Sequence, residues 1–397
     1  MAEALHRVEE SRRPHQVRFE NPNGHSYSLA FSGIVSPLCT CTCTCTCTCT
    51  CTCTCTQHYA LGSRPCPRPE TRYLEDVLTP LRWTDGHLEM LDQRILPNKV
   101  EWISYDHAAD VAEGIREMVV RGAPAIGIAA AYGMALAAKN GADLSEADKV
   151  LRASRPTAVN LFWALDRINR LPNHDFETIL NEAKKIEQED LAMNLAIGHN
   201  GAELIGKDWN IMTICNTGAL ATGGHGTALG VIRSAHQEGK NIHVWTCETR
   251  PRQQGLRLTT FELLHDGIPF HAISEGMAAS LMRAGKVDCV IAGADRIAAN
   301  GDTANKIGTF MLAILAHHHH IPFYIAAPSS TFDPSLANGD EIPIEERSSQ
   351  ELTHIEGVQV APANTPTYNP GFDVTPAELI TAIVTEAGVF RPPYRFT

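Results

Sequence analysis

Long hydrophobic runs are missing from this 397-residue chain. No stretch reaches the roughly 18 uninterrupted apolar residues that a bilayer-spanning helix needs, so no membrane span is expected. The N-terminal segment carries Arg12, Arg13 and Arg18 with no apolar core beside them. A secretory signal is therefore unsupported, and the cytoplasm is the expected compartment. Basic excess is missing too. Lys and Arg total 33 against 45 Asp and Glu, a net charge of -12. A chain of that sign is not built to neutralise a phosphate backbone, so no nucleic-acid partner is expected. Neither nucleotide fingerprint occurs: no Gly-Lys-Ser/Thr closes a glycine loop, and the glycines do not follow GxGxxG.

Usable cysteine is also scarce, despite a total of 13. Nine alternate with threonine from Cys39 to Thr56, one is Cys66, and only Cys215, Cys247 and Cys289 fall in sequence with core-like periodicity. A uniform repeat distinguishes no disulfide partner from another and lacks the paired clusters of a zinc site. With polar runs before it and a proline-rich stretch after it, residues 1–77 read as a low-complexity extension from which no fold is expected. No metal is expected. Residues 317–320, four histidines on a helix end, read as a solvated turn.

Core-like sequence begins near Leu78. Asp85-Gly86 separates two short apolar stretches, a hairpin signal. Residues 106–120 read as an amphipathic helix. Arg121-Gly122-Ala123-Pro124 then opens an almost uncharged, alanine-rich helix that must be buried on every side. Ser154-Arg155-Pro156 has the same form, an arginine ahead of a proline-started helix. Arginine offers planar bidentate donors, so two such entrances point toward an anionic ligand. Residues 176–205 read as an acidic helix linking two halves.

The chain is organised around residues 213–230, where an apolar strand ends on Cys215 and opens into a glycine-rich turn. Such a turn aims backbone N–H groups at a ligand, as a phosphate requires. Later strands follow near residues 242, 269, 287 and 322, each read as strand, turn and helix. That rhythm predicts an α/β protein. The C-terminal part, 196–397, is a Rossmann-like doubly wound parallel sheet, and 78–195 is a smaller, mainly helical domain carrying a small β element. Ligands sit beyond the carboxyl ends of such strands. Cys215 and Asp295 both follow strands directly, so both reach one crevice. A thiol beside backbone donors is a candidate base or nucleophile, and a carboxyl raised by burial is a candidate general acid. Lone cysteines are also plain core residues and post-strand aspartates are also helix caps, so the residues alone leave both readings open.

The ordered set RGAPAIG, SRPTAVNL, CNTGALATGGHGTALG, ETRPRQQGLRLTTFEL, GADRIAANGDTANKIGT, APSSTFD, IPIEER and NPGFDVTP, spanning residues 78–397, resembles the methylthioribose-1-phosphate isomerase family. The resemblance implies an aldose–ketose isomerase of methionine salvage that works on a small phosphorylated sugar, without a cofactor, as a homodimer. It implies chemistry at Cys215 and Asp295. Substrate contacts are implied at Arg121, Gly122, Ala123, Arg155, Gln254, Asn305 and Lys306. The chain departs from the pattern at Glu275-Gly276, where an aspartate and a serine usually precede the methionine, and at His225, where tyrosine is common. A non-enzymatic subunit of the initiation-factor exchange complex shares the fold and is the alternative. It lacks the Cys and Asp pair.

Overall fold

The structure, a computed structural model, describes residues 78–156 and 158–396 together with the backbone of four short strands nearer the N-terminus. Met1–Pro69 and Glu70–Thr397 are separate units. In the first, His15–Glu20 (β1) pairs antiparallel with Ser26–Phe31 (β2), and Thr42–Thr46 (β3) with Thr50–Thr54 (β4). Both pairings fall within residues 1–77, one of them inside the Cys-Thr repeat. Alternation there puts β-branched threonine, a good strand former, at every second position. The rest of that stretch lies outside the described residues.

The second unit begins with an antiparallel meander, Leu81–Thr84 (β5), His87–Leu91 (β6) and Trp102–Tyr105 (β7). Its first turn is Asp85-Gly86, both at positive φ, as a two-residue hairpin demands. Helix α1, Ala108–Arg116, is shorter than the sequence suggests. Met118 turns left-handed at φ 60, and Val119 N–H donates to Gly114 O at 2.8 Å, a Schellman stop. That stop sends the chain sideways and delivers Arg121 to the start of α2, Ala123–Lys139. Every residue of α2 from Ala125 to Ala137 is buried, as its lack of charge requires.

Helices α3 (Leu144–Ser154), α4 (Val159–Asn169) and α5 (Phe176–Ala202) surround α2. The reading of a proline-started helix at Pro156 is corrected: α4 starts only at Val159. The proline acts backwards instead. A residue before proline is driven out of the helical region, so α3 ends at Ser154 and Arg155 lies extended at φ -145. Nor is α5 merely a link, since it packs on both α2 and α6, the helix Ala228–Gln237 of the C-terminal half.

The C-terminal half holds a seven-stranded sheet in the order β10-β9-β8-β11-β14-β19-β20. These are Phe270–Ile273, His243–Cys247, Asn210–Thr213, Cys289–Ala292, Phe323–Ala326, Ala382–Thr385 and Gly388–Phe390. All pair in parallel except β20. The order reverses between β8 and β11, the switch point at which doubly wound sheets bind ligands. Helices α7 (Thr260–His265), α8 (Ala278–Arg283) and α9 (Thr309–His318) join the strands. Strand β11 breaks the expected rhythm. Instead of a helix it is followed by Arg296–Ala298 (β12) and Thr303–Lys306 (β13), which join Phe332–Asp333 (β15) and Phe372–Thr375 (β18) in a second sheet ordered β15-β12-β13-β18. After β14 the chain likewise makes a long excursion through α10 (Ser349–Thr353) and a small hairpin, His354–Ile355 (β16) with Val358–Gln359 (β17). Among the described residues no helix is long and apolar enough to cross a membrane.

Candidate active site

Strands β8 and β11 are neighbours, Thr213 opposite Ile291, and Cys215 and Asp295 leave their carboxyl ends. Adjacent strands run about 4.8 Å apart, so topology alone brings the two residues to one crevice from eighty positions apart. The loops carrying them cross closely. A Cβ on Gly293 would stand 2.7 Å from Thr217 Cγ2, so only glycine fits there without displacement. The cavity above has a volume of about 560 Å³. Every residue singled out from the sequence lines it: Cys215, Asp295, Arg121, Gly122, Ala123, Arg155, Gln254, Asn305 and Lys306.

Cys215 is held rather than merely placed. Its backbone is left-handed at φ 68, a costly state for a residue with a side chain. Three contacts impose it: Cys215 N–H donates to Thr249 Oγ1 at 2.8 Å, Thr259 Oγ1 donates to Cys215 O at 2.7 Å, and Gln254 Nε2 reaches Sγ at 3.5 Å. Glu275, a departure from the family pattern, accepts from Thr249 N at 2.6 Å and so supports this cradle from outside the cavity. His225 is likewise outside the cavity wall. Burial pushes its imidazole down to about 4, and Nε2 lies 3.0 Å from Ser234 Oγ.

Asp295 is tied to the neighbouring chemistry through its backbone, Asp295 N–H donating to Ala304 O at 2.9 Å. The antiparallel pairing of β12 with β13 then carries Asn305 and Lys306 to the same wall. The cavity walls around the Asp295 carboxyl reduce its hydration and raise it above the ordinary aspartate value, against the pull of Lys306 and Arg155. Its surface remains open to the cavity. A substrate that displaces the water there removes hydration further and favours the protonated acid. Lys306 Nζ donates to Gly371 O at 2.9 Å and lies 4.0 Å from the Phe372 ring centre, and burial lowers its ammonium.

Arg121 and Arg155 line the same cavity. Gly122 takes φ 96, and a Cβ there would stand 2.3 Å from Ala221 O, so the Arg121-Gly122-Ala123 turn presses directly on the glycine-rich loop. Burial pushes Arg121 down to about 10 and lowers Arg155, yet both stay charged at neutral pH. Among the described residues neither guanidinium has an ion pair or a hydrogen-bond partner. Two guanidiniums free of salt bridges in one cavity lining can receive an anion.

The sequence reading missed the third side. Arg252, Glu345 and Arg347 also line the cavity. Arg347 and Arg252 share Glu351, with Arg347 Nη2 at 2.7 Å and Arg252 Nη1 at 2.8 Å, and these guanidiniums hold that carboxyl down near 2. Arg250 donates to Leu352 O at 3.0 Å and Arg257 pairs with Glu356 at 3.1 Å, so arginines of 250–257 clip the excursion after β14 over the cavity. Only the motifs ETRPRQQG and IPIEER could have pointed there.

Residues 119–392 match the Initiation factor 2 subunit family. A methylthioribose-1-phosphate isomerase from Acetivibrio thermocellus is 49% identical over 334 residues, 80% of this chain and 98% of that protein. Its counterpart from Alcanivorax borkumensis is 53% identical over 325 residues, 79% of this chain and 94% of that one. The chain belongs to the methylthioribose-1-phosphate isomerase family. Among solved structures, 5-methylthioribose 1-phosphate isomerase from Pyrococcus horikoshii OT3 superposes with a TM-score of 0.76 at 43% identity, covering 82% of this chain and 96% of that one. A structure titled as translation initiation factor eIF-2B, subunit delta, from A. fulgidus gives 0.72 at 44%, covering 80% and 97%. This family of aldose–ketose isomerases therefore shares its fold with proteins named for translation initiation.

Proposed function

We propose that the chain converts 5-methylthioribose 1-phosphate to 5-methylthioribulose 1-phosphate in methionine salvage, with Asp295 as acid and Cys215 as base. The observation that carries this reading is Arg121 and Arg155, unpaired among the described residues, facing the cavity that Cys215 and Asp295 share. The phosphate on the anomeric oxygen prevents simple opening to an aldehyde, so the ring oxygen must be protonated as its bond to C1 breaks. Asp295, raised by burial, gives that proton. Cys215 removes the proton from C2, leaving an enol phosphate between C1 and C2. The C2 hydroxyl proton then returns to Asp295, the Cys215 thiol exchanges its proton with water, C1 takes a proton from that thiol, and the ketose leaves both groups as they began. Arg121 and Arg155 hold the phosphoryl group, and Gln254, Asn305 and Lys306 contact the sugar. A hydride shift from C2 to C1 is the competing route, with Cys215 only shaping the site.

The homodimer belongs to the same reading. The body of helix α9, from Phe310 to Ala316, is apolar, yet Met311 and Ile314 are exposed on it, and Met277 is exposed just before the adjoining α8. A second copy of the chain covers that face.

The test offers the purified chain methylthioribose 1-phosphate in deuterated water. Ketose carrying deuterium at C1 is expected, and ketose without it overturns the proton-transfer roles. A preference for ribose 1,5-bisphosphate would move the substrate within the same chemistry. The A. fulgidus similarity favours one further reading, a regulatory subunit. A folded chain with no turnover of either sugar would select it.

A further inference from the structure

A second cavity, of about 540 Å³, shares Pro124 and Asn160 with the catalytic one. Its wall contains no lysine, arginine or histidine. Ile128, Ile186 and Met193 supply apolar surface, and Trp163 stands 42% exposed at it. Two acids complete it. Glu189 is engaged by Arg167, whose Nη2 lies at 3.1 Å, and by Lys185 at 3.8 Å. Asp190 is different. It is only 6% exposed, and its Oδ2 accepts from Gly223 N at 2.6 Å and Asn194 Nδ2 at 2.9 Å. Its Oδ1 receives no hydrogen bond among the described residues. Nor is Oδ1 one of the sealed, partnerless polar atoms, so it keeps accessible surface on a residue that lines the cavity.

A carboxylate this deeply buried loses most of its hydration, and only donors or a counter-cation offset that cost. One oxygen has its donors and the other has none. Apolar surface, a half-exposed indole and an unanswered carboxylate oxygen together match one ligand chemistry. We propose that this cavity is a second binding site, taking a small organic ammonium ion whose charged head meets Asp190 and whose apolar body lies along Met193 and Trp163. It is separate from the sugar-phosphate reading, because a wall without cations repels phosphate and the catalytic wall repels ammonium.

Calorimetric titration of the full chain tests it with three probes of one shape: phenethylamine, 2-phenylethanol and 3-phenylpropionate, which are cationic, neutral and anionic. Binding is read without turnover, so the outcome does not depend on the isomerase activity. Phenethylamine is expected to bind one to one at least tenfold more tightly than the alcohol, and the propionate not at all. Asp190→Asn keeps an oxygen for Gly223 N and is expected to lower the amine to the level of the alcohol. Trp163→Ala, on the exposed rim, is expected to weaken amine and alcohol alike by about threefold. Equal binding of amine and alcohol to the unaltered chain overturns the proposal without any variant. So does amine binding that survives Asp190→Asn, or the absence of amine binding at millimolar concentration.

Discussion

The two cavities share a wall and differ in sign. Arg121, Arg155, Arg252, Arg296, Arg347 and Lys306 face the first against Asp295 and Glu345, whereas Glu189 and Asp190 face the second with no cation. A chain carrying -12 overall thus builds a cationic chamber and an anionic one side by side. Net charge governs solubility and long-range encounter, while the potential inside a cavity follows from which loops reach it. In the first, strand ends and helix entrances deliver the groups. In the second, the groups lie on the flank of α5, a single long helix.

The sharpest way to break the comparison is at the chemistry, which belongs to the first cavity alone. Asp295→Asn and Cys215→Ser are each expected to lower kcat by about 10²- to 10⁴-fold, the range that proton-transfer groups supply. Thermal melts should stay near those of the unaltered chain, because both side chains face the cavity rather than the core. Near-normal turnover in either variant would remove that residue from its role.

The next effect lies in the second cavity and appears in stability. Burial pushes Asp190 from 3.8 up to about 6, so between those values the folded chain keeps a proton that the unfolded chain has released. Its contribution is full below 3.8 and is lost as pH rises through about 6, a change of about 3 kcal/mol at 1.4 kcal/mol per unit. Asp373, also raised to about 6, acts in the same direction. His225, lowered to about 4, acts oppositely, since its contribution is present above 6.5 and lost as pH falls through 4. The whole-protein profile therefore blurs, and Asp190→Asn isolates the term. Urea unfolding should show this variant gaining on the unaltered chain between pH 4 and pH 7. A difference independent of pH would mean that the carboxylate is not short of partners.

Arg121→Ala and Arg155→Ala come third, each expected to reduce kcat/KM by about 10- to 100-fold, the worth of one charge-assisted contact. Neither should alter phenethylamine binding. A change in both measurements would show one electrostatic chamber instead of two.

The parallel sheet was legible because each strand is apolar and short between turn residues, and Cys215 and Asp295 were legible because each directly follows such a strand. Arg121 could be read from its place before a proline and a buried helix. The β12–β13 pair was not, because Arg296 and Lys306 mask strands whose partners β15 and β18 arrive from far along the chain. Arg347 was hidden for a related reason, since its approach to the cavity depends on the clips at Glu351 and Leu352. Asp190 sits among the other acids of an amphipathic helix, and its contacts with Gly223 and Asn194 separate it from a solvated charge.

A smaller effect is expected where the loops cross. Gly293→Ala puts a methyl 2.7 Å from Thr217 Cγ2 and should cost about 2 kcal/mol in urea unfolding, with KM raised as the Cys215 and Asp295 loops part. An unchanged midpoint would mean that the crossing gives way freely.

The smallest expected effect is at the rim of the second cavity. Trp163 is 42% exposed and lines the second cavity but not the first, and the Arg167 guanidinium lies 5.4 Å from its ring centre. Trp163→Ala should therefore change stability by less than about 1 kcal/mol. Turnover should stay within about twofold, because the indole does not line the catalytic cavity. Asn160, three residues earlier on α4, faces both cavities, so the helix is the route by which a loss at one wall reaches the other. A tenfold fall in kcat/KM in the Trp163 variant would show that α4 moves as a shared partition, with the two chambers acting as one binding unit.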